Sequence, residues 1–277
     1  MNTPTSNTKK YLVKNATWQV PEMTIPFLLK KNRPYCVIIP VINEGQRITD
    51  LLRRMQLLNT KDLADLIIVD GGSTDGSLEI NKLQQFGVRC LIIKTGHGKL
   101  SAQLRCAYAF ALEQGYIGII TIDGNNKDDP KAIPQFIDAM AKGFDFVQAS
   151  RFLPGSVAEN TPKSREWAIR YIHAPCLSLA SGFKWTDTTQ GFRAYSKKML
   201  LDARVAPFRN IFNSYELLAY LSYIAPKLGF ACIELPTSRC YPLGEVPTKI
   251  DPIKGNWQVL KILFQACLGR FNVPGAL

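Results

Sequence analysis

Asp123 ends an apolar run and is followed at once by Asn125, Asn126, Asp128 and Asp129. Carboxylate and carboxamide oxygens at this density suit a hard divalent cation. The same residue types also build β-turns, so the stretch alone reads either way. Two other apolar runs end in polar side chains. Residues 35–41 stop just before Asn43-Glu44, and residues 65–70 end in Asp70, ahead of Gly71-Gly72-Ser73-Thr74-Asp75. Gly96-His97-Gly98-Lys99 precedes a helical stretch. It is either a phosphate cradle of backbone N–H groups or a plain loop, because it lacks the full P-loop pattern.

The elements that must position these residues alternate in type. The patterns predict strands at 35–41, 65–70, 88–94, 116–122 and 144–149. Helices are expected at 43–58, from Gly76 to about Phe86, at 99–114 and at 130–142. Such alternation builds an α/β fold, a mostly parallel sheet with helices on both faces. Parallel strands carry their carboxyl ends to one edge, so the three polar strand ends converge on a nucleotide-type site. Before this unit, residues 1–10 are polar and residues 11–33 read as an extended arm. After it, helices are expected at 165–181 and 213–225 and a strand at 230–235. A polar loop runs from Asp187 through Arg193 to Tyr195, another loop spans 239–249, and an amphipathic helix spans 253–268. The expected division is an N-terminal extension of 1–33, a catalytic domain of 34–250, and a C-terminal helix and tail of 251–277.

The chain of 277 residues carries 34 Lys and Arg against 22 Asp and Glu, a net charge of +12. That balance calls for an acidic partner: nucleic acid, an anionic membrane or a phosphorylated small molecule. The basic residues are spread along the chain rather than blocked with aromatics, which argues against nucleic acid. Seven cysteines without CxxC spacing and only two histidines exclude a zinc cluster and fit reduced thiols in a cytoplasmic protein. In that setting the sequon Asn15-Ala16-Thr17 is chance. The N-terminal residues lack the apolar core of a signal peptide. The longest apolar stretch, 215–235, is broken by Glu216, Pro226, Lys227 and Gly229 and does not read as a membrane span. The final helix suits either the membrane interface or the core.

Val37-Ile-Ile-Pro-Val-Ile-Asn-Glu44, Val69-Asp-Gly-Gly-Ser-Thr-Asp-Gly76 and Asp123-Gly-Asn125 resemble, in order and spacing, the GT-A inverting glycosyltransferases that use nucleotide-sugar donors. Ala149-Ser-Arg-Phe152, Thr186 to Ser196 and Ser214-Tyr-Glu-Leu-Leu218 resemble the dolichol-phosphate mannose synthase branch, which moves a sugar to a polyprenyl phosphate. The likeness covers roughly residues 35–250.

The resemblance implies roles for particular residues. Pro40, Asn43 and Glu44 lie on the loop that would hold the nucleoside, and Asp70 would accept a hydrogen bond from the base. Asp123, then Asn125, would hold Mg2+ or Mn2+ at the donor diphosphate. Arg239 and Lys249 flank a loop similar to one that closes over that diphosphate. Arg151 and Arg165 match arginines that face the acceptor phosphate, and a guanidinium fork suits that anion. Asp187 is the acceptor-side acid, as base or as positioning group, with Gln190 and Arg193 on its loop. Asp75 is read as a cap for the helix that follows it.

The metal motif departs from the family's Asp-x-Asp with a later Gln. Asn125 stands at the second acid and Lys127 at the Gln. Either the metal is held more weakly, or Lys127 itself touches the diphosphate. Some relatives carry C-terminal membrane helices; this chain shows none, so peripheral membrane contact is expected. The leading expectation is an enzyme that transfers a sugar from a UDP- or GDP-sugar to a polyprenyl phosphate. A second reading keeps the donor and uses a hydroxyl acceptor, which needs a strong base. A third is a binder without turnover.

Overall fold

The computed structural model describes residues 10–242 and 254–277. In chain order the strands are β1 (Lys10–Tyr11), β2 (Met23–Leu28), β3 (Tyr35–Val41), β4 (Asp65–Asp70), β5 (Val88–Lys94), β6 (Gly118–Thr121), β7 (Phe146–Ser150), β8 (Ala158–Glu159), β9 (Arg193–Ser196), β10 (Cys232–Pro236) and β11 (Arg239–Cys240). The helices are α1 (Gln46–Leu57), α2 (Ile80–Gln85), α3 (Leu100–Glu113), α4 (Ile133–Ala141), α5 (Lys163–Ala168), α6 (Ala174–Ser181), α7 (Lys197–Leu201), α8 (Glu216–Lys227) and α9 (Lys254–Cys267). A π-helical turn, Ile169–His173, joins α5 to α6 ahead of Pro175, whose missing N–H breaks the regular ladder.

Nine of these strands form one sheet in the order β1-β2-β5-β4-β3-β6-β9-β7-β10. β5, β4, β3 and β6 run parallel. The order reverses between β3 and β6, and this is where an open α/β sheet leaves a crevice. β3 is apolar along its length because both of its faces are covered. Cys36 and Ile38 pack under α3, whereas Val37, Ile39 and Val41 pack with α1 and α4. This is the period-two alternation of a strand between two helical layers. α3 is buried from Ser101 to Leu112, since α8 covers the side turned away from the sheet.

Four local features differ from the sequence expectation. Residues 23–28 enter the sheet as β2, antiparallel to β5, where the pattern suggests only an arm. α1 begins at Gln46 rather than residue 43, because Asn43 and Gly45 have φ of 48° and 54° and cannot be helical. The helix after Gly76 starts at Ile80, and Glu79 caps it through the N–H groups of Asn81 and Lys82; Asp75 does not. β9 slots antiparallel between β6 and β7. Its four residues, headed by a buried arginine, are too short and too polar to read as a core strand.

Candidate active site

The carboxyl ends of β3 and β4 lock together. Asn43 N–H donates to Ser73 Oγ at 3.0 Å, Thr74 N–H donates to Asn43 Oδ1 at 2.8 Å, and Gly45 N–H donates to Asp75 Oδ2 at 2.8 Å. Asp70 turns one carboxylate oxygen inward, accepting from Gly72 N–H at 3.1 Å, Ser73 N–H at 2.8 Å and Ser73 Oγ at 2.7 Å. Among the described residues no donor reaches its other oxygen, which stays available to a ligand. Glu44 accepts from Arg47 Nε at 2.8 Å. Pro40 is a buried residue within β3, and its carbonyl accepts from Gly124 N–H at 3.3 Å. Gly124 must be glycine, because a Cβ there would sit 3.0 Å from that carbonyl oxygen and 2.9 Å from Val41 Cγ2. This contact fixes Asp123 beside the β3 loop.

Asp123 projects from the end of β6 with its side chain 23 % exposed. Gly191, on the loop before β9, comes so close that a Cβ would lie 2.2 Å from Asp123 Oδ1. Gly191→Ala should therefore push the carboxylate aside, at an overpacking cost of about 1–3 kcal/mol, and disturb activity at this site while the chain still folds. Paired activity and melting measurements check this. Asn125 Oδ1 accepts from Lys127 N–H at 3.2 Å, closing a local turn. Asp128 is wholly buried and takes Arg239 Nη1 at 2.6 Å, while Arg239 Nη2 stands 3.5 Å from Asp123 Oδ2. Burial opposes the charge on Arg239, yet Asp128 and Asp123 outweigh it and hold the guanidinium firmly protonated. Burial and then the Arg239 charge bring the Lys127 ammonium down to about 8. Arg54 of α1 braces the turn through Asn126 at 2.9 Å and Asp129 at 2.8 Å. Among the described residues no group of three or more His, Cys, Asp or Glu side chains is placed to hold a metal ion.

Asp187 and Arg151 form a fully buried pair, with Nε to Oδ2 at 2.7 Å. Gln190 Nε2 also donates to Oδ2 at 2.7 Å, and Thr189 donates to Oδ1 through its N–H at 3.2 Å and its hydroxyl at 3.1 Å. Burial raises the Asp187 carboxyl, but Arg151 and these donors outweigh it and hold it below the usual range. Arg193 is a strut rather than a ligand. It donates to the carbonyls of Gln190, Leu218 and Thr188 at 2.8, 2.7 and 2.7 Å.

Glu234 of β10 carries the Asp187 loop from below, accepting from Thr186 N–H at 2.8 Å and Asp187 N–H at 2.9 Å. Burial lifts its carboxyl to about 7. Protonation removes an acceptor from those N–H groups, so activity at this site should fall as pH drops through about 7. Glu234→Gln should show the low rate at every pH. The folded chain binds this proton more tightly than the unfolded one, so stability should decline as pH rises towards that value. A pH–rate profile and melting curves over the same range check both signs.

Tyr241, just past β11, ties these parts together. Its hydroxyl accepts from Arg151 Nη1 at 3.4 Å and Arg165 Nη1 at 3.2 Å. Lys127 Nζ lies 4.8 Å from the ring centroid, with Arg165 and Arg239 Cζ at 5.7 and 5.6 Å. Burial raises the phenol pKa, but Arg239, Arg151 and Arg165 outweigh it and bring it to about 7.

The fold thus gathers Asn43, Glu44, Asp70, Asp123, Asn125, Lys127, Arg151, Arg165, Asp187, Gln190 and Arg239 along one end of the sheet. Lys249 lies outside the described residues. The glycine-rich turn before α3 stands apart. Its N–H groups at Lys99 and Ser101 donate to the carbonyls of Asn213 and Ser214, each at 2.7 Å, so these two are taken by the chain itself. A Cβ on Gly96 would lie 2.7 Å from Glu22 N, which gives that glycine a packing role. Asp128, read from the sequence with its neighbours as a cation oxygen, is instead the buried partner of Arg239. Glu234 and Tyr241 escape a sequence reading, and only the place of Tyr241 two residues after Arg239 signals it.

A carboxylate at the switch point of a mostly parallel sheet, backed by buried cations, defines a GT-A type transferase scaffold. The model of glycosyl transferase family 2 matches residues 36–203, more than half of the chain, and the chain belongs to that family. It is 28 % identical over 238 residues to a dolichyl-phosphate hexose transferase of Haloferax volcanii, covering 84 % of this chain and 93 % of the relative. It is 25 % identical over 202 residues to an undecaprenyl-phosphate mannosyltransferase of Micrococcus luteus, covering 72 % and 80 %. Two solved structures share the fold. Glucosyl-3-phosphoglycerate synthase from Mycobacterium tuberculosis, in complex with Mn2+, UDP and glucosyl-3-phosphoglycerate, has a TM-score of 0.58 at 16 % identity over 85 % of this chain and 79 % of that one. Mannosyl-3-phosphoglycerate synthase from Rubrobacter xylanophilus has a TM-score of 0.61 at 13 % identity over 88 % and 75 %.

Proposed function

We propose that this glycosyltransferase moves a sugar from a UDP- or GDP-sugar to a polyprenyl phosphate. The observation that carries the reading is two sets of cations divided by one tyrosine: Lys127 and Arg239 beside Asp123, and Arg151 and Arg165 at the phenol oxygen. Two sets suit two anions, a leaving diphosphate and an attacking phosphate. The polyprenyl-phosphate relatives agree. A phosphate oxygen attacks the anomeric carbon, the bond to the diphosphate breaks, and the nucleoside diphosphate leaves with the electron pair. Such a nucleophile is already ionised and needs no base. Asp187, with Arg151, Gln190 and Thr189 on its oxygens, is a poor proton acceptor, so its proposed role is to position Arg151. This disfavours a hydroxyl acceptor.

The residues fit a divalent ion in a limited way. Asp123 is partly open and cradled by Gly191, whose missing Cβ leaves room for its carboxylate. One carboxylate completed by substrate phosphates is a common way to hold Mg2+. Asp123, with Asn125 beside it, would hold Mg2+ or Mn2+, which when bound would neutralise charge growing on the diphosphate. Arg239, and Lys127 while its ammonium stays protonated, add positive charge at the same place. Asn43, Glu44 and Asp70 are proposed to hold the nucleoside, with Pro40 and Gln190 as supports beneath the site.

The catalytic unit is proposed to span 34–250, with 1–33 as an extension that lends β2 to the sheet and 251–277 as a C-terminal helix and tail. Among the described residues no helix is long and apolar enough to cross a membrane. Trp167, Tyr171 and Leu179 on the α5–α6 segment, and Trp257, Phe264 and Leu268 in or just past α9, are exposed. α6 and α9 pack together, so these side chains suit peripheral contact with a cytoplasmic membrane surface. Incubating the protein with labelled UDP- and GDP-sugars and polyprenyl phosphate in vesicles tests the reading. Label should enter the lipid fraction; its absence across several donors overturns the proposal.

A further inference from the structure

We infer that Tyr241 orders both anion sites of the proposed reaction, the donor cations through its ring and the acceptor arginines through its hydroxyl. The inference rests on that reaction. A tyrosine only 3 % exposed has little reason to sit among four cations unless it organises them. Lys127, Arg151, Arg165 and Arg239 come from four separate segments, and their charges repel one another. The negative face of an aromatic ring offsets that repulsion for Lys127, Arg165 and Arg239. The hydroxyl oxygen serves Arg151 and Arg165 in the same way.

The cations depend on the ring to different degrees. Asp187 anchors Arg151, and Asp128 anchors Arg239. Among the described residues, the hydrogen bond of the Arg165 guanidinium is the one to the phenol. The ring is buried, and the backbone of Cys240 and Tyr241 is fixed at three points. Tyr241 N–H donates to the Glu159 carbonyl at 3.1 Å, Asn160 Nδ2 donates to the Tyr241 carbonyl at 3.1 Å, and Cys240 N–H donates to the Lys127 carbonyl at 2.8 Å. The last of these ties the tyrosine directly to the loop bearing Lys127. Tyr241 is therefore a positioning residue with two separable parts.

Two variants separate them. Tyr241→Phe keeps the ring and should raise KM for a short-chain polyprenyl phosphate roughly tenfold, the scale of one hydrogen bond to a charged group. KM for the nucleotide sugar should stay within about twofold, since the ring face remains. Tyr241→Leu removes both parts and should raise both KM values. Melting curves confirm that each variant folds. If Tyr241→Phe moves both constants or neither, the inference is wrong while the transfer reaction stands. If the wild-type protein transfers no sugar to lipid, the reaction itself is wrong. Calorimetry with the short-chain phosphate and with UDP or GDP then decides Tyr241 alone: equal phosphate affinity in wild type and Tyr241→Phe overturns it, and selective weakening supports it.

Discussion

Asp123→Asn should abolish sugar transfer, by at least about a hundredfold in kcat/KM, while leaving the fold intact. The substitution preserves shape and removes the charged oxygen that would hold the divalent cation neutralising the departing diphosphate. Losses of this size follow when a single preorganised electrostatic contact to a developing charge is removed. Folding should survive for a specific reason. Arg239 keeps its closer partner Asp128, at 2.6 Å, and Gly124 keeps its bond to Pro40. The Asp123 side chain is also partly exposed, so no buried charge is stranded. Calorimetry of Mn2+ binding with UDP or GDP present should show a weaker ion, even where substrate turnover is too slow to measure. A variant with wild-type kcat/KM would remove Asp123 from the reaction.

Asp187→Asn should be costly in a different way. Its neighbour Arg151 is buried, and the neutral amide leaves that guanidinium without a counter-charge. Breaking a buried ion pair by removing one partner costs about 3–5 kcal/mol. In a protein of this size that should lower the melting temperature by roughly 10 °C. Transfer should fall as well, because Arg151 no longer has a fixed direction. Replacing both members, Asp187→Leu with Arg151→Met, separates the two effects. An apolar pair of similar volume avoids the stranded charge, so stability should return in part, less the acceptor lost to Gln190 and Thr189, while transfer does not. Denaturant titration and transfer assays on the single and double variants check this. Equal stability of wild type and Asp187→Asn would show that the pair is not as tightly coupled as its 2.7 Å contact indicates.

These two residues also show what a linear chain reveals. Asp123 is legible because it interrupts an apolar run, and a strand must end where a charge would otherwise enter the core. Its neighbours at Asn43 and Asp70 are legible for the same reason. Parallel pairing then brings such ends together by geometry alone. Asp187 is harder. Its position in a polar loop marks it, with Thr189 and Gln190 close by, yet nothing local indicates that Arg151 occupies its oxygens. β9 is illegible because a short strand headed by a buried arginine has no periodicity, and that arginine is held by carbonyls of its own loop and of α8. The turn at residues 96–99 stays open in the sequence, as a phosphate cradle or a plain loop, for the opposite reason. Its glycines admit a phosphate in principle, but a distant loop at Asn213 and Ser214 already takes the N–H groups.

The sequence by itself determined the mostly parallel sheet and the acids at its strand ends. Both follow from the alternation of apolar runs with polar stops, a property of neighbours in the chain. Only the tertiary structure decided which charges meet. Arg239 lies 116 residues from Asp123, and Tyr241 gathers cations from four segments. Such encounters depend on the sum of many packing contacts, which no local pattern encodes. The physical reason is the range of each effect. Periodicity and capping act over a few residues, whereas a buried charge is stabilised by whichever partner the folded chain carries to it.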